Sequence, residues 1–264
     1  MSESMQSLLG AVADVARVAG DVALRHYRSA LRVEWKGDGS PVTIADRAAE
    51  AAAREWIIAH FPGDALLGEE MGARPGGGTR RWFIDPIDGT RSYVRGVPLW
   101  ASIIAVAEGE TVLAGAIACP AAGEIVAAAR GEGCWWNGTR CRVSDVGAIG
   151  QAAILTTETR FVHHPDRTAR WSSLADEAEL ARTWGDGFGY LALATGRAEA
   201  MIDDRVNAWD VAAAQVVVEE AGGVFTDWLG RASAFGGDAI ATNAALADSV
   251  RARLGIPTSG AAHA

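Results

Sequence analysis

The sequence predicts an α+β half that passes into an α/β half near residue 146, and three observations predict it. Before Pro62, apolar residues recur at three- and four-residue steps, the spacing of two helices. From Arg80 to about Val146, strand-like runs follow one another with Gly and Pro between them, as in a meander. Beyond Val146, strand-like and helical runs alternate. The expected division is therefore 1–145 and 146–264.

Composition limits what this fold can do. A chain of 264 residues can bury a sizeable core. With 49% hydrophobic and 22% charged residues and a mean hydropathy of +0.08, no membrane partner is expected. Lys plus Arg number 24 against 33 Asp plus Glu, a net charge of −9 without a basic patch, so nucleic acid is not an expected partner either. Cys119, Cys134 and Cys141 form no CxxC pair. Their odd number, without a secretory leader, points to reduced thiols in the cytoplasm, packed as small hydrophobes.

Taken in order, Leu8, Val12, Val15, Ala19, Val22 and His26 share one helix face, and Asp14, Arg17 and Asp21 argue against a signal segment. "LRVEWK" reads as a short strand and "GDGSP" as a turn. A second helix runs from near Thr43 through "IADRAAEAAAREWIIAHF" to a stop at Pro62-Gly63. "ALLGEE" is a brief strand that finishes on two carboxylates. "GARPGGGTR" is a surface connection, since it lacks the Gly-Lys-Ser/Thr of a phosphate loop. The strands "RRWFID", "LWASIIAVAEG", "TVLAGAIACP" and "EIVAAARGEGCWWNG" follow, with Asn137-Gly138 as a hairpin turn.

In the second half "AAILTT", "AEAMID", "GVFTDW" and "DAIATN" read as strands, with "ARWSSLADEAEL", "FGYLALATG" and "VAAAQVVVEEAGG" as helical segments among them. "HHPD" at His163 is an exposed loop, because adjacent histidines diverge and no third metal ligand lies nearby. "GIPTSGAAHA" is a frayed tail.

The chemistry concentrates in "WFIDPIDGT". Asp85 and Asp88 end an apolar strand, and Pro86 forces a turn that can aim both carboxylates at one point. Two anions at one point need a cation, and an oxygen-only donor set suits Mg²⁺. Asp-Gly also marks turns, so composition alone leaves the turn reading open. Equally, Asp210 and Thr90 read as helix N-caps, Asp46 as an exposed helix residue, and Glu69 and Glu70 as a solvated strand end.

These segments together carry a resemblance. "DPIDGT" at Asp85–Thr90, "WDVAAAQ" at Trp209–Gln215, "GEE" at Gly68–Glu70 and "TIAD" ending at Asp46 stand in the order of the inositol monophosphatase-like superfamily, which the chain resembles. The resemblance implies a layered αβαβα sandwich of the inositol monophosphatase / fructose-1,6-bisphosphatase type, assembled as a homodimer. It further implies two or three Mg²⁺ ions held by Glu69, Asp85, Asp88, Asp210 and the Ile87 carbonyl, with Glu70 the lesser ligand of its pair. Thr90 and Asp46 then orient the attacking water, which Glu69 helps to activate, and the Gly89 and Thr90 amides face the phosphate. The expected reaction is hydrolysis of a small phosphate monoester by metal-activated water, without a phosphoenzyme.

For the substrate, "TWGDGFGYLALATGRAEAMID" resembles the histidinol-phosphatase branch, as does "YVRGVPLWASIIAV". Histidinol phosphate carries an ammonium and an imidazole, which acidic residues near the cleft favour; Asp186 and Asp203 are the candidates, beside Gly89, Thr90 and Asp210. Otherwise Asp186 is a Gly-flanked turn residue, Asp203-Asp204 a surface turn and Arg182 a solvated side chain. Inositol-1-phosphate is the alternative substrate. A catalytically silent regulatory or interaction protein on the same scaffold is the alternative of another class, and the complete acidic set argues against it.

Overall fold

A computed structural model of the protein describes residues 4–37 and 39–256. Helix α1 (Met5–His26) is capped by Ser4, whose hydroxyl accepts the Ser7 N–H at 3.1 Å, and it buries Leu8, Val12, Val15 and Ala19 along one face. The strand expected over "LRVEWK" contracts to β1 (Glu34–Trp35), which pairs only with β2 (Pro41–Val42) in a small separate ladder. Helix α2 (Ile44–His60) starts at Thr43 as expected. The Thr43 hydroxyl caps it, and Asp46 reaches back to accept the Thr43 N–H at 2.8 Å, a capping box.

Eight strands then build one sheet: β3 (Ala65–Gly68), β4 (Gly72–Arg74), β5 (Arg80–Asp88), β6 (Ala101–Glu108), β7 (Thr111–Cys119), β8 (Glu124–Ala129), β9 (Gly133–Trp136) and β10 (Thr139–Arg140). A one-turn helix, α3 (Thr90–Tyr93), follows β5. The sheet order is β10-β9-β8-β7-β6-β5-β3-β4, and only β3 and β5 run parallel. Strand β4 takes the first three residues of the stretch expected to be a connection; residues 75–79 are exposed, and Arg80 already starts β5. Asn137 and Gly138 take φ of 48° and 81°, the two positive values that the tight β9–β10 turn demands.

After residue 146 come β11 (Ala153–Leu155), α4 (Pro165–Glu177), β12 (Leu180–Arg182), α5 (Asp186–Ala194), β13 (Ala200–Asp203), α6 (Ala208–Glu220), β14 (Val224–Thr226), β15 (Ala239–Thr242) and α7 (Ala247–Arg253). The five strands order as β12-β11-β13-β15-β14, parallel among β11, β12 and β13 and antiparallel at β15. Helix α4 starts four residues before the expected Ala169, because Pro165 fits the first helical position. The expected tail lies outside the described residues from position 257.

Strand alternation stacks the layers. In the large sheet Trp82, Ile84, Ile104, Val106 and Ala116 face α1 and α2, while Phe83, Ile103, Ala105 and Ile117 face α5 and α6. In the small sheet Leu155, Met201 and Ala241 face α5 and α6 from the other side, and Ile154, Ile202 and Ile240 face α4 and α7. The result is the α-β-α-β-α sandwich. Helix α6 lies between two sheets, which is why Val211 to Val218 are all buried and its sequence is apolar all round. Gly115 on β7 admits it: a Cβ there would stand 2.6 Å from Ala213 Cα. All three cysteines are free, with Cys119 and Cys134 buried and Cys141 half-buried.

Candidate active site

Asp85 and Asp88 are three residues apart, so a regular strand would send them to opposite faces. The pairing shows how they meet. Asp85 lies opposite Ile103 and Asp88 opposite Ala101, so β5 spends one more residue than β6 over this interval. That bulge turns both carboxylates toward the α5 and α6 layer. Pro86 has no N–H to lose there, and its carbonyl accepts the buried Ser102 hydroxyl at 2.7 Å, which fastens the bulge. Asp85 also accepts the Ile87 N–H at 3.1 Å. Gly89, at φ 80°, then turns the chain into α3.

From α6 comes Asp210. It is not the N-cap: Asn207 caps the helix, and Asp210 accepts the Asn207 N–H at 2.6 Å from the third helical position. Glu69, Asp88 and Asp210 are the carboxyl groups that act on Asp85. From α5, the Gly187 N–H donates to Asp88, and Asp186 takes a left-handed φ of 53° at the start of that helix. Asp is one of the few side chains that tolerate this conformation.

Glu69 follows β3, its N–H held by the Ile84 carbonyl at 3.1 Å. Lys36 was not anticipated in the sequence: its ammonium lies 2.7 Å from Glu69 and 2.6 Å from Glu70. Thr90 is the first residue of α3 rather than its cap. Its hydroxyl donates to the Ile87 carbonyl at 2.8 Å and stands 3.5 Å from Asp46. Asp46 is not exposed but 1% accessible, its other oxygen taken by Thr43.

Burial, and then the neighbouring carboxylates, push the Asp85 and Asp88 carboxyls well above their ordinary range. Burial raises Asp186 and Asp210 to about 7, and Glu70, despite Lys36, to about 7. A cation between these oxygens would relieve that repulsion, and an all-oxygen set of carboxylates plus a carbonyl fits a hard divalent ion. Among the described residues, no three acidic, His or Cys side chains already stand in a closed coordinating arrangement. Instead Glu69, Asp88 and Asp210 each take a hydrogen bond from the protein.

Asp203 and Asp204 are not a surface turn. Both are buried, and Asp203 accepts the Tyr190 hydroxyl at 2.7 Å and the Thr157 N–H at 3.2 Å. They line a cavity of about 290 Å³ with Thr157, Glu158 and Arg160. Thr157 joins it to the acidic cluster, because its hydroxyl accepts the Asp186 N–H at 2.9 Å. The larger cavity, about 490 Å³, includes Arg80 at the far end of β5 from these aspartates. "HHPD" is exposed as expected, with His164 beside Asp204, and Arg182 is exposed as well.

A family model for the inositol monophosphatase family matches residues 4–257. The chain is 40% identical to a histidinol-phosphatase of Chlorobaculum parvum over 92% of its length and 94% of the relative's. It is 38% identical to a histidinol-phosphatase of Mycobacterium tuberculosis, over 85% and 88% respectively. Among solved structures, the extragenic suppressor protein suhB of Bartonella henselae superposes with a TM-score of 0.89 at 28% identity, covering 94% of this chain and 98% of that one.

Proposed function

The chain belongs to the inositol monophosphatase family, and from that premise we propose that it is a divalent-metal-dependent phosphatase of histidinol phosphate. One observation carries the substrate assignment: the cavity joined to the acidic cluster through Thr157 is lined by Glu158 and Asp203, carboxylates suited to an ammonium or an imidazole, with Arg160 and Arg205 also on its wall. The likeness to two histidinol-phosphatases supports the same reading.

Glu69, Asp85, Asp88 and Asp210, with the Ile87 carbonyl, are the groups that would hold Mg²⁺. Once bound, Mg²⁺ supplies a water of lowered pKa and positive charge against the phosphoryl oxygens. The chain's own part is placement. The β5 bulge turns Asp85 and Asp88 toward the layer that carries Asp210 on α6. The one Thr90 hydroxyl hydrogen serves the Ile87 carbonyl at 2.8 Å; turned instead to Asp46, 3.5 Å away and fixed by the α2 capping box, it would free the Thr90 oxygen to accept a hydrogen bond from the attacking water. Gly89 and Thr90 put backbone amides at the same end of β5, so an acidic protein can still receive a phosphate. Asp186 and Asp203 face the alcohol side. The division at residues 145 and 146, supported by the change from one sheet to the other, belongs to this proposal, as do the homodimer and the cytoplasmic setting implied by the resemblance.

Phosphate release from histidinol phosphate, inositol-1-phosphate and a simple aryl phosphate, each with Mg²⁺ and with chelator, tests the reading. Histidinol phosphate should be preferred in kcat/KM by at least about tenfold, the scale of one well-placed ionic contact. Preference for inositol-1-phosphate would transfer the assignment to that ester. Silence on every ester would leave only the scaffold.

A further inference from the structure

We propose that Glu50, supported by Arg54, is a positioning residue for Glu69. The inference rests on the reading of Glu69 as a metal-holding carboxylate, and it concerns how that carboxylate is kept in place.

Glu69 sits on the tight connection between β3 and β4, a place where a chain would ordinarily move freely. Its own N–H is tied to Ile84, on the β5 side. On the other side the next two amides converge on one carboxylate. Glu50 Oε2 accepts the Glu70 N–H at 2.7 Å, and the Met71 N–H reaches both Glu50 oxygens at 3.2 and 3.3 Å. Glu50 is 0% exposed, and its charge is met by Arg54 one helical turn on, whose Nε donates to Oε1 at 2.7 Å. Arg54 then closes the loop by donating to the Gly72 carbonyl, the first residue of β4. One buried ion pair thus grips the connection at three backbone points.

Gly68 belongs to the same device. A Cβ there would overlap Glu50 Oε1 and press on Arg54. The residue before Glu69 is bare so that the Glu50 carboxylate can lie directly beneath the turn. Asp46, Glu50 and Arg54 stand four residues apart on one face of α2, so a single helix edge serves both the Thr90 side and the Glu69 side of the site.

A buried pair of this kind adds little to stability compared with apolar packing. Its effect is geometric: it sets where Glu69 can point. Groups that orient a metal-holding side chain typically change metal affinity or activity by about 10–100-fold when removed.

The test is Glu50→Gln, measured by calorimetric Mg²⁺ titration without substrate, by melting, and by phosphate release against Mg²⁺ concentration. Gln offers one acceptor oxygen where Glu offers two, so apparent Mg²⁺ affinity should fall about 10–100-fold. The substrate KM at saturating Mg²⁺ should stay within about twofold, since no substrate contact is removed. Because Glu50→Gln leaves Arg54 unpaired, the double variant E50Q/R54M supplies a neutral pair of similar volume, and the same loss of Mg²⁺ affinity is expected of it. A folded variant of either kind that binds Mg²⁺ as tightly as the parent overturns the proposal, and a lowered melting temperature with unchanged Mg²⁺ binding does so too, by reducing the pair to a structural one. If the parent binds Mg²⁺ yet hydrolyses no ester, the assigned reaction fails while calorimetry still decides the role of Glu50.

Discussion

Asp85 and Asp204 are both buried aspartates near the ends of strands, 2% and 9% exposed, but they keep opposite company. Asp204 faces Arg167 at 2.9 Å and lies 2.8 Å from His164; Arg167 also holds Asp238 at 2.9 Å. Asp85 faces Glu69, Asp88 and Asp210. A carboxylate with an Arg beside it completes the fold. A group of carboxylates facing one another stores repulsion, and only protons or a cation from outside can relieve it. The difference separates residues that hold the molecule together from residues kept for chemistry.

Neutralising one member on each side should break the comparison most sharply. Asp85→Asn should lower Mg²⁺-dependent phosphate release on the order of 10²–10³-fold, the scale of losing one preorganised electrostatic group. The same change removes a repelling charge, so the metal-free protein should melt no lower than the parent. Near-normal turnover by a well-folded Asp85→Asn protein would falsify the metal assignment.

The next effect is the pH dependence of the metal-free protein. Asp186, Asp210 and Glu70 have folded values raised to about 7. Between the ordinary carboxylate range near 4 and about 7, the folded state therefore binds more protons than the unfolded state, and stability falls as pH rises through that window. Mg²⁺ needs the deprotonated oxygens, so the melting gain on adding it should be larger at about pH 8 than at about pH 5.5. A gain that is the same at both values would mean that these carboxyls are not where the ion binds.

Asp204→Asn should do the reverse of Asp85→Asn: about 1–3 kcal/mol of stability lost as Arg167 loses part of its charge partner, measured by urea unfolding. If it instead stabilises the chain, the division between structural and chemical carboxylates collapses. Smallest is Tyr190→Phe, which leaves Asp203 short of one hydrogen bond at a cost of about 1 kcal/mol. No change in unfolding midpoint would show that this hydroxyl is dispensable to the Asp203 geometry.

How much of this was legible in the sequence differs by residue. The acidic segments, the hairpin at Asn137-Gly138 and the helix start at Thr43 carry local signatures, because turn and cap chemistry is decided within a few residues. Lys36, Glu50 and Arg54 left no such mark: each reaches residues 18 to 34 positions away, and only the folded chain brings them together. Asp203 and Asp204 misled for a related reason, since an acidic pair reads as surface until an Arg, a Tyr and a helix are folded over it.

By itself, the sequence determined the order of the main helices and strands, though not α3, α7, β4 or β12, together with the family and the identity of the acidic residues, which follow from periodicity and short motifs. Tertiary structure alone decided that a one-residue bulge in β5 puts Asp85 and Asp88 on one face, that Asn207 rather than Asp210 caps α6, and that a buried Glu50–Arg54 pair grips the Glu69 turn. Those are outcomes of register and packing between distant segments, where one residue of slip or one side chain from another layer changes the direction in which a charge points.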